Sequence, residues 1–250
     1  MVYVDLKKTL LPFILPSVLI IIWFILTDAL HLIPPYILPS PLNVVSAIWK
    51  LIIDGKLLMH TISTIIKVFS GIILASVVAI PLGILLGWSH TLDELTSIVI
   101  SILRPIPPIS WIPFSILWFG IGLSSAVFVI FIGCVFSVLV YTIDGVKRTD
   151  KVLIEAAQTL GANKWDILSK IILPSAAPYI VSGLKVGVSI ALMCTVSAEM
   201  IASSNGLGYM TLTASQLFQP GIVVVGMIII GIIGILFDYL FRRAQNKIFW

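Results

Sequence analysis

A chain of 250 residues that is 59% hydrophobic and only 10% charged, with a mean hydropathy of +1.16, lies far outside the range of soluble domains. Its formal charge of +4, from 15 Lys and Arg against 11 Asp and Glu, is small enough for membrane topology to explain, and it carries no nucleic-acid signal. The composition predicts an all-α integral membrane protein in contact with lipid, with residues 1–250 forming a single transmembrane domain.

A helical span needs about 20 mainly apolar residues, and six stretches qualify: 10–28, 61–88, 95–118, 125–143, 176–200 and 221–240. The first run, Leu10 to Leu26, is too long for a signal-peptide core and no small-residue cleavage site follows it, so it is read as a span. Pro34 to Pro41 is expected to be a stiff extended connector on the outer side. Pro81 should kink the second span, and Gly83 and Gly87, like Gly183 and Gly187 in the fifth, have the four-residue spacing that lets helices approach closely.

The third span carries Pro105, Pro107, Pro108 and Pro113. These remove backbone donors and force breaks that a membrane tolerates only beside other helices or a water-lined cavity. Arg104, Ser110 and Trp111 are therefore pathway candidates; the alternative for Trp111 and Trp118 is a place in the outer aromatic belt. Cys134 and Cys194 each sit alone in an apolar run and read as buried thiols rather than a disulfide or metal site.

Two ionisable residues of the fifth span join the candidates, because charge within a membrane is costly. Lys185 lies about three turns beyond Pro174 and either lines a path or snorkels to the interface. Glu199, near the outer end, either lines the path, pairs with a neighbouring helix or marks where the span meets water. A lone carboxylate would repel an anion, which favours a gating or structural partner over direct anion binding.

Between the fourth and fifth spans, residues 144–175 hold the longest polar stretch, "EAAQTLGANKWDILSKIILP" from Glu155. Lys147, Arg148, Lys151, Lys164 and Lys170 gather here, and Lys7, Lys8, Arg242, Arg243 and Lys247 near the ends, against Lys50 and Lys56 on the opposite side. Positive charge is retained in cytoplasmic loops, so this segment and both termini are expected to face the cytoplasm. Thr149 or Asp150 can cap a helix reaching Leu160, Gly161 can close it, and Asn163 can cap a second helix ending before Pro174. Ile154, Ala157, Leu160, Trp165, Leu168 and Ile172 fall near helical spacing and predict one apolar face. Read from the residues alone, that face packs on the protein's own helix ends or lies in the lipid interface.

Glu155-Ala156-Ala157, then Leu160-Gly161-Ala162, then Ile171 and Leu173-Pro174 stand at the spacing of the EAA signature. The segment resembles the cytoplasmic loop of importer-type ABC transporter permeases. "ILPSPLNVVSAIWKLI" from Ile37, "HTISTIIKVFSGIILASVVAIPLGILLG" from His60, "RPIPPISWIPFSILWFGIG" from Arg104 and "SAEMIASSNGLGYM" from Ser197 are similar to the nitrate/sulfonate/taurine/bicarbonate permease group. Leu123 and Ser124 stand where that group often has an acidic residue, and Ser137 and Tyr141 where it often has proline and asparagine.

The resemblance implies the importer permease fold in a prokaryotic inner membrane. It implies that Glu155 to Pro174 docks on a separate ATPase, that a second permease copy completes the pathway as a homodimer, and that an external solute-binding protein delivers the cargo. Sulfonates lead as cargo, followed by taurine-like and small inorganic anions, with riboflavin- or pyrimidine-type solutes a further class.

The chain has no GxxxxGK[ST] loop, so ATP and Mg are expected on the partner ATPase and no cofactor in this chain. His31, His60 and His90 are scattered, without metal-site spacing or triad partners, and no enzyme set converges. The rivals, an ion-coupled secondary carrier or a channel, are expected to show internal repeats, midmembrane ionisable residues or charge rings. Neither accounts for the EAA segment.

Overall fold

The computed structural model describes the backbone of residues 6–248 and the side chains of residues 14–243 and 245. The side chains of Lys7, Lys8 and Lys247, used above to argue orientation, lie outside the described residues. All the regular elements among the described residues are helices. Helix α1 (Leu6–Phe24) continues as a π-turn, Ile25–Ala29, and α2 (Pro41–Ile53) is a short helix capped by Ser40, whose hydroxyl accepts the Asn43 N–H at 3.2 Å. Between them, Pro34 to Pro41 is not the extended connector expected. The N–H groups of Ile37 and Leu38 both donate to the Pro34 carbonyl, at 2.9 and 3.2 Å, because Pro35 presets the backbone angle a turn needs at its second position. The Trp23 indole N–H donates to the Pro39 carbonyl at 2.9 Å and ties this turn to α1.

Helices α3 (Lys56–Trp88), α6 (Leu123–Lys147) and α11 (Pro220–Ile248) are long, apolar and close to the spans read from sequence. Helix α9 (Leu173–Ala202) is longer than expected, for it is continuous with α8 (Lys164–Ile167) through a π-segment, Leu168–Ile172, giving an unbroken helical run Lys164–Ala202. The expectation that the second short helix ends before Pro174 is thereby corrected. Pro174 has no N–H for the Lys170 carbonyl, and the helix absorbs the ring by widening one turn: Leu173 donates five residues back to Leu168 instead.

The third span is broken, as the prolines predicted. Helix α4 (His90–Leu103) ends at Arg104, and the chain resumes as a 3-10 turn, Pro108–Trp111, leading into α5 (Ile112–Phe119), with an 88° bend between the halves. Counting that pair as one span gives up to five spans, beside the shorter described apolar stretch Ile14–Ala29 of α1 and its π-turn.

Helix α6 lies at the centre and packs along α3 on one side and α9 on the other. Glycines make this contact possible: a Cβ added at Gly83 of α3 would stand 2.6 Å from Thr142 Cβ, and one at Gly183 of α9 would stand 2.6 Å from Tyr141 Cβ. Both α6 partners are at backbone-to-side-chain distance because the facing residue has no side chain. Cys134 and Cys194 are both buried on these seams with free thiols.

Two ends of the bundle are thereby defined. One carries α2, the start of α3, α10 (Leu207–Gln216) and the start of α11, where Gly221 lies against Asn43 and Ala47 of α2. The other carries α7 (Lys151–Thr159) and α8, beside the last turns of α3 and α6.

Gly83→Val should overpack the α3–α6 seam and destabilise the detergent-solubilised protein by about 1–3 kcal/mol. Gly231, whose added Cβ meets nothing within 4 Å, should accept alanine without change in the same thermal-unfolding measurement.

Candidate functional site

The segment at the α7–α8 end is built by its caps. Asp150 begins α7 by accepting the Val152 N–H at 2.9 Å, and Asn163 begins α8 by accepting the Asp166 N–H at 2.9 Å. Asp150 takes the capping place, whereas the Thr149 hydroxyl is buried with no partner among the described residues. Gly161 turns the chain between the two helices at φ +80°, in the left-handed region that glycine enters without strain. The Lys170 ammonium, 2.6 Å from Asp166 one turn earlier, holds the Asp166 carboxyl below its usual range.

The apolar residues of this segment divide into two sets, which corrects the single face expected. Ile154, Ala157, Ala162, Ile167, Leu168 and Ile172 pack against Val146, Ala176 and Ile84 on the helix ends. Leu160 and Trp165 do not join them: they are 87% and 77% exposed, with Val152 and Leu153 also outward. The cause is the turn at Gly161, which swings Leu160 to the tip while Ala162 returns to the core. Of the signature residues, Glu155, Ala156, Gly161 and Pro174 are exposed, and Ala157, Ala162, Ile171 and Leu173 are half-buried. Large apolar side chains left outward on a polar segment mark a contact surface.

At the opposite end, Glu199 is fully buried and not solitary. Its Oε1 accepts from Lys67 Nζ at 3.0 Å and from Thr64 Oγ1 at 2.8 Å, and its Oε2 accepts the Gly208 N–H at 2.8 Å. Lys67, also buried, spends its other donors on the Asn205 side-chain oxygen at 2.9 Å and the Asn205 carbonyl. Thr64 Oγ1 accepts the Leu207 N–H at 2.8 Å, and His60 Nδ1 accepts the Gly206 N–H at 3.1 Å. Three residues about one turn apart on α3, His60, Thr64 and Lys67, thus hold the end of α9 and the turn into α10. Gly206, at φ +114°, lies so close that any Cβ would overlap the Glu199 carboxylate.

Lys67, unlike Glu199, is not among the candidates that the sequence points to above. The signal was present: Lys67 is a solitary basic residue in the apolar run of the second span, opposite in sign to a solitary acid in the fifth.

The remaining candidates are not brought together. Lys185 is 3.1 Å from Asp238 of α11, which also accepts from Arg242 Nε at 2.6 Å. Arg104 is exposed at the end of α4 and lines a cleft of about 570 Å³ against α6. Ser110 and Trp111 lie beyond the bend; Ser110 is exposed, and the half-buried Trp111 packs its ring 6.3 Å from Phe114 and 6.5 Å from Phe128. Its indole nitrogen is buried with no partner among the described residues.

Breaking the buried pair from one side should be severe. Glu199→Leu or Lys67→Met alone leaves an uncompensated charge and should cost about 3–5 kcal/mol, whereas the double substitution should recover most of the loss. Thermal unfolding of the three variants measures it; a double variant as unstable as the sum of the singles would show that the pair is not coupled.

Comparison with known proteins agrees with this architecture. The family described as binding-protein-dependent transport system inner membrane component matches residues 79–249. A protein of Methanocaldococcus jannaschii bearing an ABC transporter permease name is 45% identical over 99% of this chain and 94% of its own length. The taurine transport system permease protein of Escherichia coli is 32% identical over 93% of this chain and 86% of its own. Among solved structures, an inward-facing MetNI methionine ABC transporter chain shares the fold, with a TM-score of 0.70 at 20% identity, covering 78% of this chain and 97% of the other. The chain belongs to the inner-membrane permease family of binding-protein-dependent ABC importers.

Proposed function

We propose that this chain forms, as a homodimer, the translocation pathway of an ABC importer for a small anion of the sulfonate, taurine or nitrate type. In this reading the α7–α8 segment faces the cytoplasm and docks on a separate ATPase, which binds ATP and Mg, and an external solute-binding protein delivers cargo to the other end. The observation that carries the docking reading is the exposure of Leu160 at the turn before Gly161, with Trp165 also exposed on α8 beside the end of α3. Such residues are the natural anchors of a protein interface, since burying them on a partner removes apolar surface from water. The cargo class is supported by the likeness to a taurine permease over nearly the whole chain.

ATP binding would draw the two ATPases together, displace the α7–α8 tips and turn the cavity outward; hydrolysis and product release would reset it. Residues Glu155 to Pro174 carry that load into α9, because α8 and α9 are one helical run.

Gly161→Asp places a charge at the centre of the proposed contact, where an added side chain meets nothing in this chain. In proteoliposomes holding permease, ATPase and binding protein, the variant should insert normally but lose ATP-driven taurine uptake by about tenfold or more. Undiminished uptake would refute the coupling role, and uptake by the wild type without any ATPase would place the protein among carriers or channels.

A further inference from the structure

Three basic side chains lie within the spans rather than at their ends, and two are neutralised inside the chain: Lys67 by Glu199 at 3.0 Å and Lys185 by Asp238 at 3.1 Å. Arg104 is the third, and no carboxylate stands within ion-pair distance of it among the described residues. A guanidinium without a counter-charge at such a position is unfavourable unless water or an anion reaches it.

Its surroundings provide that access. Asp93, Ser97 and Ser101 follow each other at four-residue steps on α4, with Arg104 three residues further, so the four occupy one helix face. That face borders the cleft of about 570 Å³ against α6. Val140 and Ile143 supply its apolar wall, and Lys147 lines it at the end of α6 that leads to α7. Lys147 is committed to Asp93 at 2.6 Å, so these two charges cancel and the uncompensated charge of the cleft is the guanidinium. Val140 precedes Lys147 by seven residues, so the two lining residues lie about 10 Å apart along α6. The helix stops at Arg104 because Pro105 follows, and this break keeps α4 and α5 from closing over the cleft as one straight rod.

We propose that Arg104, with the Ser101 and Ser97 hydroxyls on the same face, forms an oxyanion-binding station in the α4–α6 cleft, in the half of the pathway nearer the α7–α8 end. The guanidinium fork suits a sulfonate, carboxylate or nitrate, offering two parallel N–H donors to two oxygens. Identifying that oxyanion with the transported cargo rests on the transport reading above; the anion preference itself does not. An anionic lipid phosphate offers the same chemistry, and the test separates the two.

The full chain carrying Ser101→Cys, in phosphatidylcholine nanodiscs, is treated with methanethiosulfonate reagents bearing either a sulfonate or a trimethylammonium group. The native thiols are buried, and the unsubstituted chain gives the background rate. The anionic reagent should react about tenfold faster than the cationic one, and Arg104→Gln should bring the ratio to about one. A ratio that Arg104→Gln leaves unchanged, or no reaction with either reagent at Ser101→Cys and at the second position Ser97→Cys, overturns the proposal. Methanesulfonate or nitrate should slow the anionic reagent beyond a chloride control of equal ionic strength, and only when Arg104 is present; absence of that protection overturns it. Loss of the preference on adding phosphatidylglycerol assigns Arg104 to a lipid phosphate and overturns the cargo assignment. None of these rates depends on an ATPase, so failure of the transport reading is distinguishable from failure of the anion site.

Discussion

A charge inside a bilayer needs a counter-charge or access to water or an ion, and the Lys67–Glu199 pair meets that demand entirely within the chain. Every donor of the Lys67 ammonium has an acceptor, and both Glu199 oxygens accept. Its strength comes from the low dielectric around it and from the cost of leaving either member alone. Because Thr64, Lys67 and His60 belong to α3 while Glu199 closes α9 and Asn205 to Gly208 lead into α10, one network fixes the relative positions of three elements at that end of the bundle. The α3–α6–α9 core below it relies on glycine-mediated close approach, which favours a single packing arrangement over sliding.

The two ends are joined by one mechanical element. From Lys164 to Ala202 the chain is continuous helix, so the residues flanking Trp165 and the carboxylate of Glu199 lie on one rod, roughly 50 Å apart along its axis. The π-segment at Leu168–Ile172 and Pro178 inside α9 interrupt its hydrogen-bond ladder, and both sit near where the rod leaves the α7–α8 segment for the bundle. A load applied at the tip therefore reaches the far network through packed backbone rather than through a flexible loop. The broken α4–α5 pair is the opposite kind of element: it gives up helical continuity and leaves Arg104 beside open volume.

Much of this was legible in the residues. Thr149 or Asp150, Gly161 and Asn163 read as cap, turn and cap because each acts locally, with the structure choosing Asp150, and the proline series after Arg104 reads as a break for the same reason. What escaped depended on partners distant in sequence or on local compensation. Lys67 gains its meaning only from a carboxylate 132 residues away. Pro174 looked like a stop because the widened turn that absorbs it leaves no mark in the periodicity. Leu160 and Trp165 matched the apolar spacing of the segment, but helical periodicity cannot follow a chain through the left-handed turn at Gly161, and they point outward.

The central claim is that this outward pair holds the permease to its motor. Co-purification of the cognate ATPase from detergent extracts, comparing the wild type with Leu160→Glu combined with Trp165→Glu, measures it directly. The account predicts stoichiometric ATPase with the wild type and a loss of about tenfold or more with the variant, at equal permease yield. Equal recovery of ATPase by both would contradict it and place the docking surface elsewhere.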